Sequence, residues 1–223
     1  FLSDYGTDDE FVGVVHSVVA SVAPHVRIVD VTHGIAPHDV RAGGLALARS
    51  AQYLCPGVVL AVVDPGVGTP RRGVAVEVGG GQSVLVGPDN GLLAPAVAMV
   101  GGADRAVSLT DPAWHLPSQG TTFDGRDVFA PVAAHLACGV DLDELGESID
   151  PNGLLPAVVS AAVVETDGLH AEVWWIDRFG NVQHYGQIGV GRKGVEFVRH
   201  DPLTAVWAAV GETWMLSFCA AVR

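Results

Sequence analysis

The chain has 223 residues, 49% of them hydrophobic, and a formal net charge of −13. That length and apolar content suffice for one large core or two smaller ones. The acidic balance excludes a non-specific nucleic-acid binder, which needs surplus Lys and Arg to displace counterions, and disfavours docking on anionic lipid.

Over residues 1–135, apolar runs alternate with helical stretches, which predicts an α/β layered fold with a mostly parallel sheet. A strand end at Phe1 and Leu2 leads to Thr7, with Glu10 three positions later. That capping-box pattern predicts a helix from Asp8 to about Ala20. A strand follows near Arg27 to Val31, then a helix from Val40 to Tyr53 and a buried strand from Val58 to Val63. Val74 to Val78 and Ser83 to Val86 read as a strand pair joined by a turn at Gly79-Gly80-Gly81. Arg126 to Cys138 reads as a helix, with Pro131 in its first turn or at a kink.

From about Asp141 the pattern changes. Pro151, Asn152, Gly153 and Pro156 mark a turn-rich connection. Beyond it, Val158 to Glu165, Ala171 to Ile176, Val195 to Arg199 and Thr213 to Cys219 are short strand-like runs divided by Gly and Asp turns. This predicts a small all-β, barrel-like domain over 157–223, after an α/β domain over 1–150.

Four loops place polar residues directly after apolar strands, where open α/β sheets hold ligands. Ser3-Asp4-Tyr5-Gly6-Thr7 joins a strand to a helix start, and Asp4 alone reads equally as a turn or cap residue. Val63-Asp64-Pro65-Gly66-Val67-Gly68-Thr69-Pro70-Arg71 is a tight loop that ends in a guanidinium. Asp64 and Arg71 form either a plain salt bridge or part of a site, and the loop lacks the GK[ST] ending of a P-loop. Thr122-Phe123-Asp124-Gly125-Arg126-Asp127 can be a helix cap. Asp177-Arg178-Phe179-Gly180-Asn181, taken alone, is a β-turn.

The nine histidines show neither an HExxH pattern nor a tight His/Cys spacing, so no metal is expected. Cys55, Cys138 and Cys219 are widely spaced and odd in number, which predicts reduced core thiols in a cytoplasmic protein. No membrane span or export signal is visible in the residues given.

The stretches LSDYGTDDEFVG, IVDVTHGIAPHDVRAG, AVVDPGVGTPRRGVAV, VGPDNGLL, TTFDGRDVFAP and IDRFGNV occur in this order over residues 1–182. Together they resemble the S-adenosyl-L-methionine (SAM) hydroxide adenosyltransferase family, which also includes fluorinase and chlorinase. VVDPGVGTPRR and GPDNGLL carry most of the specificity. The resemblance implies an N-terminal α/β domain, a C-terminal barrel-like domain and a homotrimer with sites between subunits. It implies metal-independent hydrolysis of SAM to adenosine and methionine, with SAM as substrate and no cofactor. Asp64 and Arg71 match two members of the water-handling Asp-Arg-His set of the family's hydrolases. In halide-using members a Tyr stands where Asp64 stands, so Asp64 points to water. By the same likeness Asp4 should hold the ribose hydroxyls and Asp177 the methionine ammonium, with Phe179 and Asn181 lining the nucleoside pocket.

Two departures stand out. Asp124 occupies the place of the family's His, and Glu212 lies in a segment where the family binds the methionine carboxylate. If Asp124 takes the place of that His, two carboxylates flank Arg71 and can work as a coupled pair, one as base and one as proton donor. The alternatives are a slow or inactive homologue that binds an adenosyl ligand and, with less support, a halide-using adenosyltransferase.

Overall fold

The computed structural model describes residues 1–117, 120 and 122–157, together with the backbone of the strand segments 163–164, 169–170, 173–176 and 182–184. The chain divides into two compact units, Phe1–Val158 and Val159–Arg223.

The first unit is built on a six-stranded sheet. In chain order its strands are β1 (Leu2–Ser3), β2 (Gly57–Val62), β3 (Gly73–Val78), β4 (Ser83–Pro88), β5 (Ala103–Ser108) and β6 (Glu147–Ile149). Their spatial order is β1-β2-β4-β3-β5-β6. β1–β2 and β2–β4 are parallel, whereas β4–β3, β3–β5 and β5–β6 are antiparallel. The expected mostly parallel sheet is therefore a mixed one. The Gly79-Gly80-Gly81 turn makes one antiparallel pair, β3–β4, and the other two come from β5 and β6, which add beyond β3. All three glycines have positive φ, and a turn this tight can only return the chain as an antiparallel neighbour.

The helices are α1 (Phe11–Val22), α2 (Val40–Ala51), α3 (Ala94–Met99) and α4 (Ala130–Ala137). α1 starts later than its sequence signal suggests, because the Thr7–Glu10 capping box does not form. Glu10 is the N-cap and makes no side-chain cap bond. Gly6 instead turns at φ 68 and donates its N–H to His33 O at 2.8 Å, so the chain is still leaving the sheet at Thr7. α1 turns Val15 and Val19 inward at i,i+4 spacing and packs on α4. α2 begins where expected, with Asp39 accepting from Ala42 N at 2.8 Å.

The expected strand at Arg27–Val31 is absent as a regular element. Val31 N–H donates to Phe1 O and Ser3 N–H to Thr32 O, so the segment follows β1 through a single bridge at Thr32. α3, β5 and β6 lacked a sequence signal. β5, with Asp104 and Arg105 in the sequence ADRAVS, buries only Ala106, Val107 and Ser108.

The helix expected from Arg126 to Cys138 is split. A π-helical turn, Gly125–Phe129, runs into α4, and Ala130 N–H bonds Gly125 O in an i→i−5 pattern. Pro131 follows at the start of α4 and has no N–H to continue the ladder. The core fills the space between sheet and helices with Leu60, Val62, Val86, Val107, Phe129 and Val132, among others.

In the second unit, β7 (Val163–Val164) pairs antiparallel with β8 (Leu169–His170), and β9 (Val173–Ile176) with β10 (Val182–His184). The expected strands Val195–Arg199 and Thr213–Cys219 lie outside the described residues. Cys55 and Cys138 are free and exposed rather than core thiols: the turns after α2 and α4 carry them outward despite their apolar sequence neighbours. Among the described residues no helix is long and apolar enough to cross a membrane.

Candidate active site

Two sheet-edge loops, the one that carries both Asp64 and Arg71 and the one that carries Asp124, meet at one guanidinium. Arg71 Nε donates to both oxygens of Asp64 at 2.9 Å, and its Nη2 also contacts Asp64 Oδ2. The same Nη2 donates to Asp124 Oδ2 at 2.6 Å. The Asp64 side chain is only 6% exposed and that of Arg71 11%, whereas Asp124 keeps 24% of its surface open. Two carboxylates and one guanidinium leave the cluster one negative charge in excess. A charge-assisted, two-pronged grip of this kind also fixes the plane of the Asp64 carboxylate.

Each element that holds this set has a local reason. Val63 ends a fully buried apolar run, so the chain delivers Asp64 to the sheet rim. Asn90 braces that end by donating from Nδ2 to Val63 O at 2.9 Å. Arg71 lies against Phe129, with its guanidinium carbon 5.1 Å from the ring centroid. Asp124 holds the N-cap position of the π turn without capping it. Its carboxylate goes to Arg71, which decides between the helix-cap reading and the cluster reading. Gly125 is required here, since an added Cβ would collide with the hydroxyl of Tyr5.

Tyr5 is a residue that sequence reasoning passed over. It was legible only as a member of the string LSDYGT. The structure lays it beside Gly125, and its hydroxyl is held protonated, above the ordinary phenol range. Burial is the main cause, followed by the negative charges of Asp4, Asp64 and Asp124. Asp4 is half-buried in the same loop and accepts from His38 N at 2.8 Å. His38 has φ 67, an uncommon backbone for a residue with a Cβ.

His115 is a second addition. Burial pushes its imidazole pKa down, and the charges of Asp111 and Asp124 oppose that shift. Its Nε2 is buried without a hydrogen-bond partner among the described residues. The next residue, Leu116, is pinned by its N–H to Asp127 O at 2.8 Å.

The GPDNG string has a scaffolding role. Asp89 is buried and receives Arg72 Nε at 3.0 Å, Arg72 Nη2 at 2.5 Å and the N–H of Leu155 at 2.8 Å. Gly91, at φ 90, lies so close to Pro156 O that a Cβ would sit 2.7 Å from it. A cavity elsewhere on the sheet is lined by Val74, Asp89, Leu93, Val97, Asp104 and Leu155, among others, and by none of Asp64, Arg71 and Asp124. The charged cluster is the better site, because it gathers the unusual chemistry whereas the cavity's Asp89 is already fully engaged.

The profile of the SAM hydroxide adenosyltransferase N-terminal domain matches residues 1–146. The chain belongs to that family. It is 50% identical over 183 residues to the (R)-S-adenosyl-L-methionine hydrolase of Salinispora arenicola, covering 82% of this chain and 69% of the relative. A protein of the same name from Thermus thermophilus is 43% identical over 192 residues, covering 81% of this chain and 71% of the relative. Among solved structures, that of an uncharacterized conserved protein from Thermotoga maritima superposes with a TM-score of 0.74 at 34% identity. It covers 82% of this chain and 69% of that one. In this member of the SAM hydroxide adenosyltransferase family, Asp64, Arg71 and Asp124 form one cluster with Asp4 in a neighbouring loop. Asp177, Phe179, Asn181 and Glu212 lie outside the described residues.

Proposed function

We propose that this protein hydrolyses S-adenosyl-L-methionine to adenosine and L-methionine, by in-line attack of water on the ribose C5′ carbon. The observation that carries this reading is the Asp64–Arg71–Asp124 cluster, formed by the DPGVG and TFDGRD loops in a chain whose relatives are named as hydrolases of this substrate. The sulfonium leaves as a neutral thioether, so no acid is needed on the departing side. The demand falls on the nucleophile, since bulk water has a pKa of about 15.7.

Asp64 accepts the proton of the attacking water as the new C5′–oxygen bond forms. The C5′–sulfur electron pair returns to sulfur at the same time. A carboxylate has about four lone-pair sites, so the Arg71 grip still leaves acceptor capacity for that water. General-base assistance of this kind contributes roughly 10²–10⁴-fold. Fixing the water in line with the carbon–sulfur bond adds up to roughly 7–11 kcal/mol. Asp124, the more open carboxylate, binds the same Nη2 of Arg71 that contacts Asp64 and shares the proton traffic. The protonated Tyr5 hydroxyl adds a donor at the same rim. No step of this chemistry uses a metal or cofactor.

Asp4 would hold the ribose hydroxyls, Asp177 the methionine ammonium, and Phe179 and Asn181 the nucleoside. A small barrel-like C-terminal domain, a homotrimer with sites between subunits and a cytoplasmic location belong to the same proposal.

The test is incubation in H₂¹⁸O with each sulfonium epimer of SAM, because the relatives' names specify the (R) form. Equimolar adenosine and methionine, with the label in the adenosine 5′-hydroxyl and no dependence on chloride or fluoride, is expected. A halogenated adenosine would overturn the hydrolase. Tight binding without turnover would favour the adenosyl-binding homologue, a reading that Asp124 in the place of the family's His keeps in view.

A further inference from the structure

On the other side of β1 from the acidic cluster's loop, three donors from distant parts of the chain meet. His16 comes from α1, and Asp30 and His33 from the segment that follows β1. His16 Nε2 lies 3.0 Å from Asp30 Oδ1, and His33 Nε2 lies 3.1 Å from the same oxygen. All three ligand atoms fall within 4.8 Å of one another.

His33 sets this group apart from an ordinary surface ion pair. Its side chain is 6% exposed, yet Nε2 has no hydrogen-bond partner of proper geometry among the described residues. Its approach to Asp30 is therefore off the line of an N–H donor, as expected for two ligands directed at a common point. The opposite ring nitrogen, Nδ1, is 2.8 Å from Ser3 Oγ, and Ser3 is fully buried. A metal-bound imidazole characteristically has its other nitrogen held in this way, which fixes ring and tautomer. Phe1 supports the rings from one side, 4.7 Å from His33 and 6.1 Å from His16 between centroids.

We infer that His16, Asp30 and His33 form a divalent metal site of the zinc type. Two imidazoles and one carboxylate suit zinc and its transition-metal neighbours, whereas magnesium and calcium prefer all-oxygen shells. Bond lengths of about 2.0–2.2 Å in a tetrahedral shell put neighbouring ligand atoms about 3.3 Å apart. The two contacts to Asp30 already match that spacing. His16, 35% exposed, has freedom to close the remaining gap.

The fourth position would take water. The site is independent of the proposed hydrolysis and acts as a clip. It ties α1 to the segment that accepts Gly6 N–H through His33 O, and so steadies the turn that carries Asp4 and Tyr5. Sequence spacing could not show it, because the ligands are separated by 14 and then 3 positions, and only the chain's return along β1 brings them together.

The test uses tag-free full chain stripped with a chelator and titrated with zinc chloride by calorimetry, and separately with cobalt(II) while visible d–d absorption is followed. One saturable site per chain, a tetrahedral cobalt spectrum and a raised Tm are expected. His16→Ala, on an exposed helix face, should keep the fold by circular dichroism and lower zinc affinity by more than 10-fold. Ser3→Ala should weaken binding by about 10–100-fold. Absence of saturable binding, or equal affinity in His16→Ala and the parent, as would follow if Cys55 or Cys138 held the metal, would overturn the assignment.

Discussion

Arg71 Nη2 lies 2.6 Å from Asp124 Oδ2, across 53 positions of sequence, while the same guanidinium holds both oxygens of Asp64. One cation is thus the common partner of two carboxylates, and the three side chains form a unit rather than a pair with a bystander.

Residues that act as a unit give non-additive losses. Asp64→Asn should lower kcat by about 10²–10⁴-fold, and Asp124→Asn should lower it by less. The double variant should lose little beyond Asp64→Asn. Losses that multiply would show that Asp124 works outside the set. Single-turnover kinetics with SAM makes the comparison.

Arg71→Met leaves two carboxylates facing each other, one of them almost wholly buried. Breaking a buried ion pair from one side costs about 3–5 kcal/mol, so urea unfolding should show a loss of that order. Adding Asp64→Leu should recover part of it, because the uncompensated buried charge is then gone. No recovery would mean that the loss comes from Arg71's packing on Phe129.

Gly125→Ala forces a methyl group into the Tyr5 hydroxyl. Overpacking of this kind costs about 1–3 kcal/mol. Combining it with Tyr5→Phe should relieve part of the penalty, and a double-mutant cycle on Tm measures the coupling. Strictly additive effects would indicate that the π turn shifts as a whole.

His115 titrates below the ordinary imidazole range because burial disfavours its charged form. Between its folded pKa and about 6.5, the unfolded chain binds more protons, so stability rises with pH across that window. It is lost as pH falls through the same window. His115→Gln should flatten that part of the stability–pH curve, and an NMR titration of the imidazole should give a midpoint below 6.5. A midpoint above 6.5 would mean that Asp111 and Asp124 outweigh burial.

Much of the fold was legible because strongly periodic apolar runs leave little choice. Leu60, Val62 and Val76 could only be core strand positions, and α2 carried its own cap in Asp39. The loops of the site were legible for a different reason: Asp64, Arg71 and Asp124 sit in strings whose residue types are rare in combination. Sequence alone thus determined the main strands and helices around the sheet, though not α3, β5 or β6, and the family whose strings the chain carries.

Only the tertiary structure decided what each polar group does. Asp124 could have capped its helix, and Asp89 could have faced a ligand as readily as it faces Arg72. The sheet became mixed beyond the glycine hairpin because β5 and β6, which left no signal in the sequence, join β3 as antiparallel neighbours. Tyr5, His33 and His115 gained meaning only through neighbours remote in sequence. The physical reason is common to all of them. Periodicity is a local, backbone-level signal, whereas a carboxylate or imidazole takes its role from charges and donors within a few ångströms, and the folded chain alone sets those distances.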